Sequence, residues 1–203
     1  MPDAVFSAYP LDTGRMADLE AVFQARGCAE ARRCYCMYYR LAHRDYQPTP
    51  GLNLSESNRA RMRALAGADR APGLIGYLDG QAACWISLGP REDFARLATS
   101  PTMRRVDDTP VWSIVCFVVP SQHRGQGLAH RLLQEAIRFA AAQGARVLEA
   151  YPVDREVPAR ADAPWFGSLS QFLAAGFEEV ARHRPGRPIV RLRLREADHP
   201  PGD

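Results

Sequence analysis

The chain runs to 203 residues, 46% of them hydrophobic and 24% charged, proportions that support a buried core and argue against disorder. Its formal net charge of +3 comes from scattered basic residues, which gives little reason to expect a nucleic-acid partner, and no apolar run approaches the ~18 residues that a membrane span needs. Met1 to Pro10 has neither a basic n-region nor an apolar h-region, and the odd set Cys28, Cys34, Cys36, Cys84 and Cys116 reads as reduced thiols, so a cytoplasmic protein is expected.

Such a length suits one domain, read as residues 1–196 with a flexible tail at 197–203. Ala4 to Tyr9 is strand-like, and Thr13 to Arg26 then places Met16, Leu19, Val22 and Phe23 at helical spacing. Gly27 to Tyr46 is irregular, rich in cysteine and in Tyr35, Tyr38 and Tyr39, and it ends in the breakers Pro48, Pro50 and Gly51. Ser55, with Asn58 three residues on, caps a predicted helix to about Ala66. Leu74 to Leu78 and Ala82 to Leu88 form a hairpin around Asp79-Gly80, a pair that favours the positive φ angles of a tight turn.

After a loop from Gly89 to Pro110, Val111 to Val119 is apolar almost throughout, as in a strand covered on both faces. A polar glycine-containing turn leads into a helix from about Leu128 to Gln143, with Leu132, Leu133, Ala136, Ile137 and Ala140 on one face. A strand at Arg146 to Tyr151, a proline-interrupted loop, a short helix at Leu169 to Ala175, and strands at Phe177 to His183 and Ile189 to Leu194 complete the chain. This is an α/β pattern.

The strand, turn and helix around Arg124-Gly125-Gln126-Gly127-Leu128-Ala129 make an anion site, because the first turn of a helix leaves N–H groups unpaired at the positive end of its dipole. Gly125 and Gly127 let the backbone wrap a diphosphate, Ala129 keeps the helix start clear, and Arg124 adds a charge-assisted contact. There is no Gly-Lys-Ser/Thr end as in a P-loop and no third glycine to complete a dinucleotide fingerprint.

That segment resembles the Arg/Gln-x-x-Gly-x-Gly/Ala signature of the GNAT acyltransferase superfamily, in the place the family has it, and the order of elements from about residue 4 to 195 is similar too. The Cys- and Tyr-rich excursion and the stretch Tyr151 to Asp154 are similar to a bacterial subgroup of that superfamily. The resemblance implies a mixed sheet flanked by helices and splayed at the central strand. It implies acetyl-CoA, or another acyl-CoA, as co-substrate, with the pantetheine arm bonding to backbone of Phe117, Val118 and Val119 and the pyrophosphate to Arg124, Gly125, Gln126, Gly127, Leu128 and Ala129. The implied reaction is direct attack of a small-molecule or peptide amine on the thioester, the carbonyl being polarised by the N–H of Val118 or Val119.

Many members use as acid a tyrosine four residues before the Gly-Phe glycine; here that position is Phe172. Ser168, Ser170, Tyr151 and water are the replacements, and Glu149 and Asp154 are the candidate bases. His123, beside the signature, reads as a surface residue. Cys116 and Cys84 read as small apolar fillers, although Cys116 is also a candidate for a transient acyl-enzyme. Cys28, Cys34, Cys36 and His43 are metal-ligand types, but Cys-x5-Cys-x-Cys lacks ligands two to four residues apart; no metal is expected, and the cluster reads as a wall of the acceptor cleft. Trp85, Trp112 and Trp165 read as core or rim. Arg91 reads as solvated, with contact to an acidic substrate group as the other option. A non-catalytic acyl-CoA-binding module is the second reading, supported by Phe172. Nucleic-acid binding through Arg182, Arg184, Arg187, Arg191, Arg193 and Arg195 is the third, against a solvated face. A homodimer is the expected assembly.

Overall fold

In the computed structural model, which describes residues 4–157 and 164–194, the chain opens with strand β1 (Phe6–Pro10) and helix α1 (Met16–Gln24). Helices α2 (Ala29–Cys34), α3 (Met37–Arg40) and α4 (Leu54–Ala66) precede the hairpin of β2 (Gly73–Leu78) and β3 (Gln81–Pro90). Then come β4 (Trp112–Val118), α5 (Leu128–Ala142), β5 (Val147–Ala150), α6 (Leu169–Ala174), β6 (Glu178–Arg184) and β7 (Arg187–Arg193). Arg195 and the tail expected at 197–203 lie outside the described residues.

The cysteine-rich excursion is helical where irregular chain was expected. Tyr35 and Cys36 take left-handed φ angles of 45° and 55° and break it into α2 and α3, pieces too short to show an apolar period. Tyr35 is held by burial against Phe23, ring centroids 5.2 Å apart. The cap of α4 is Asn53 rather than Ser55: Asn53 Oδ1 accepts from the Glu56 N–H at 3.0 Å, and Glu56 accepts from the Asn53 N–H at 2.8 Å. The Ser55 hydroxyl instead donates to the Arg32 carbonyl at 2.7 Å. Asp79 and Gly80 turn the β2–β3 hairpin with φ of 49° and 77°.

The described strands form one seven-stranded sheet in the order β1-β2-β3-β4-β5-β7-β6. All neighbours are antiparallel except β4 and β5. On one face Leu132, Leu133, Ala136 and Ala140 of α5 pack on Ile86, Ile114, Leu148 and Val190. The other face carries two clusters. Leu19, Val22 and Phe23 of α1 cover Ile75, Trp85 and Val118, while Phe94, Leu97 and Met103 cover Val115, Tyr151 and Ile189. The central strand is therefore buried on both sides, as its composition implies. Among the described residues no helix is long and apolar enough to cross a membrane.

Candidate active site

The site begins with a defect in the sheet. β3 and β4 stay in register from Trp85↔Val118 to Ser87↔Cys116, but the next pair is Leu88↔Ile114, so Val115 is an extra residue on β4. Such a bulge bends the strand that carries it. On its other side β4 pairs with β5 only through Trp112↔Leu148, Ser113↔Glu149 and Ile114↔Ala150. From Val115 onward the β5-facing edge of β4 has no ladder partner among the described residues. Beyond the gap, Val153 bridges to Ser168, and its N–H and carbonyl bond to Gly167 and Leu169, which anchors the opposite wall.

At the end of this opening lies the loop before α5. Gly125 and Gly127 sit in left-handed backbone at φ 75° and 72°, and a Cβ on either would meet nothing within 4 Å. No side chain caps α5; the Gly127 carbonyl accepts from the N–H groups of His130 and Arg131, and those of Leu128 and Ala129 have no hydrogen-bond partner among the described residues. Arg124 is engaged by backbone: Nε donates to the Val119 carbonyl at 3.0 Å and Nη2 to the Gly27 carbonyl at 2.9 Å. It pins the loop against the turn after α1, where Gly27 (φ 84°) leaves no room for a Cβ, which would fall 2.1 Å from Ser121 Oγ.

A cleft of about 1020 Å³ joins these features, lined by Val115 to Val119, Arg124, Gly125, Ala129 and Ser168. Cys34, Cys36, Tyr38, Tyr39 and Tyr46 form one wall; Trp165, Phe166 and Arg187 line it as well. Edge-to-face contacts link Tyr38 with Tyr39 (5.0 Å), Tyr38 with Tyr46 (5.4 Å) and Tyr39 with Phe166 (5.7 Å). The open glycine loop, the uncapped helix and the unpaired strand edge suit an elongated ligand with a diphosphate at one end and amide groups along its length.

The profile of the Acetyltransferase (GNAT) family matches residues 35–161, more than half of the chain. The chain belongs to the GNAT acetyltransferase family. An acetyltransferase from Thermus thermophilus shares 15% identity over 94% of this chain and 97% of its own, with a TM-score of 0.55. An N-acetyltransferase from Staphylococcus aureus shares 15% identity over 94% and 99% at 0.52, and aminoglycoside N-acetyltransferase AAC(6')-Iy in complex with CoA shares 18% over 90% and 94% at 0.52. At such identities the likeness is one of fold. Among curated proteins none matches the chain.

Within this acetyltransferase the two carboxylates expected to act as base stand apart from the cleft lining. Glu149 is 1% exposed and lies between Arg91 Nη1 at 2.9 Å and Arg191 Nε at 2.8 Å; it also accepts from the Tyr151 hydroxyl at 2.6 Å. Asp154 accepts from Arg182 Nη1 at 2.7 Å, and that guanidinium holds its carboxyl below the usual carboxylate range. Burial and the charge of Glu149 push the Tyr151 phenol well above its ordinary value, so it donates only within this network. Arg91, read from sequence as solvated, is 4% exposed, and also bonds the carbonyls of Leu97 and Met103.

Phe172 is 0% exposed, packed edge-to-face on Phe117 (6.0 Å) and Phe177 (5.0 Å), so this position offers the cleft no donor. Ser168 does line the cleft: it caps α6 by accepting from the Gln171 N–H at 3.3 Å, and its hydroxyl is 3.1 Å from that of Ser170. Cys116, read as filler, is half-buried and lines the cleft beside Cys36, which accepts from the Trp85 indole at 3.3 Å. A hydrogen bond with Cys36 and burial push the Cys116 thiol up, while burial and its neighbour Cys36 raise Cys34 to about 11. Cys84 and Trp85 are core residues, Trp112 is nearly so, and Trp165 is on the cleft. Sequence reasoning passed over Arg187 and Gly27 as members of the site. The Pro185-Gly186 turn between Arg184 and Arg187 was the only local signal for the first, and Gly27 carried none beyond its being glycine.

Proposed function

We propose that the chain is an N-acyltransferase that moves an acetyl, or other short acyl, group from acyl-CoA to a primary amine of a small molecule or peptide. The observation that carries this reading is the gap opened at Val115 next to the uncapped start of α5. Acetyl-CoA supplies the thioester: the amine nitrogen bonds to its carbonyl carbon, the C–S bond breaks, and the thiolate takes up a proton.

The chain's own residues orient and polarise. Gly125, Gln126, Gly127, Leu128 and Ala129 present backbone N–H groups to the pyrophosphate; Arg124 fixes that loop and adds positive charge. The backbone of Phe117, Val118 and Val119 aligns the pantetheine arm as a further strand would, and the N–H of Val118 or Val119 polarises the carbonyl. Ser168 donates toward the leaving sulfur. Glu149 and Asp154 act by holding the strands that wall the cleft, since a carboxylate engaged by arginine is a weak proton acceptor. Solvent in the open cleft takes the ammonium proton.

Phe172 favours a second reading, a non-catalytic acyl-CoA-binding module, because its ring fills the place of the usual acid. Titration of acetyl-CoA followed by free-thiol release over a panel of primary amines separates the two. Binding with turnover is expected; tight binding without turnover on any amine leaves the module, and absence of binding overturns both.

A further inference from the structure

The buried arginines around β5 have carboxylate partners. Arg91 and Arg191 share Glu149, and the more exposed Arg182 meets Asp154 and Glu179. Arg187, at the start of β7, has none among the described residues. It is half-buried, and its guanidinium carbon lies 4.2 Å from the centroid of Phe166. Its Nη2 donates to the Tyr151 carbonyl at 3.3 Å, its Nε has no partner among the described residues, and the side chain lines the cleft. Burial lowers its pKa, yet an arginine stays charged near neutrality. A cation removed from water without a counter-ion is unfavourable unless a ligand provides one.

Position decides which ligand. The glycine loop and α5 lie on the sheet face of Ile86 and Leu148, whereas Phe166 and its neighbour Tyr39 pack with Val115, Tyr151 and Ile189 on the opposite face. Arg187 is thus across the splay from the diphosphate loop, on the side left to the acceptor. Of the described residues that line the cleft, only the exposed Glu30 of α2 is acidic, so the cleft does not select for a second cationic group.

We propose that Arg187 receives a carboxylate of the acceptor, so that the substrate class is a primary amine that also carries a carboxylate, with its apolar part against Tyr39 and Phe166. This rests on the acyltransferase reading above, which assigns the other end of the cleft to acyl-CoA. The planar guanidinium suits a carboxylate, and its stacking on Phe166 fixes its plane beforehand.

The test uses the full chain saturated with CoA and a product-like pair that differs only in the anion, N-acetylphenylalanine and N-acetylphenylalaninamide, titrated by calorimetry. The carboxylate is expected to bind at least ~10-fold more tightly than the amide, as the loss of a charge-assisted pair implies. Arg187→Gln should abolish that preference without changing CoA affinity, and Arg187→Lys should restore part of it. Equal binding of the two probes to the wild-type chain, or binding of neither, overturns the assignment. The CoA titration that precedes the pair reads the parent proposal separately: no CoA binding removes both, while CoA binding without carboxylate preference removes this one alone.

Discussion

Glu149 and Arg191 lie directly opposite each other on β5 and β7, and their side chains meet at 2.8 Å in the interior. The same carboxylate meets Arg91 from the end of β3, and Ser113, its register partner on β4, lies 2.9 Å from the Tyr151 hydroxyl that also bonds it. A single buried anion so placed ties together four strands of the sheet beside the splay. Removing one partner of a buried ion pair leaves the other charge uncompensated.

Glu149→Ala is accordingly expected to lower stability by ~3–5 kcal/mol, read as a reduced urea midpoint. Glu149→Gln tests the base role directly. If the carboxylate only holds strands, the variant that folds keeps the shape of the wild-type pH–rate profile; loss of the limb that reports a base would return Glu149 to proton transfer.

Gly127→Val should weaken CoA binding by well over tenfold, because a β-branched residue at φ 72° is strained and its side chain fills space now open before α5. The strain alone amounts to ~1–3 kcal/mol. Unchanged CoA affinity in a folded variant would mean that the diphosphate binds elsewhere.

Ser168→Ala should cost ~0.5–2 kcal/mol through the lost cap of α6 and lower kcat as well. Ser168→Asp separates the two effects, since aspartate caps equally well but cannot donate at neutral pH. Restored stability with kcat still low supports donation to the leaving sulfur. Full kcat in both variants removes it.

Asp154 provides a pH signature. Its folded pKa is depressed by Arg182, so its contribution to stability is present above the unfolded carboxylate value of about 3.9 and is lost as pH falls through the lower folded value. The stability gap between wild type and Asp154→Asn should therefore be constant from pH 7 down to about 4 and shrink below it. Acid titrations of the unfolding free energy check this; a gap that grows toward low pH would contradict the ion pair.

Apart from the short helices α2 and α3, the order of elements, the buried central strand and the Arg124–Ala129 loop were legible in the sequence because each depends on neighbours along the chain. Apolar period marks a helix or strand, and a strand, a glycine turn and a helix start are contiguous. Hidden in the sequence were the bulge at Val115, the burial of Arg91 and the place of Arg187. A strand residue's surroundings are set by register, and a shift of one residue exchanges the faces. Ser113, Glu149 and Arg191 become a row only when β4, β5 and β7 align, and Arg187 meets Phe166 only when β7 folds back beside the opening. The sequence by itself determined the strand, glycine turn and helix start that make up the Arg124–Ala129 loop. That Glu149 and Asp154 are locked in ion pairs, and that Arg187 reaches the cleft without one among the described residues, was decided by pairings between residues far apart in the chain.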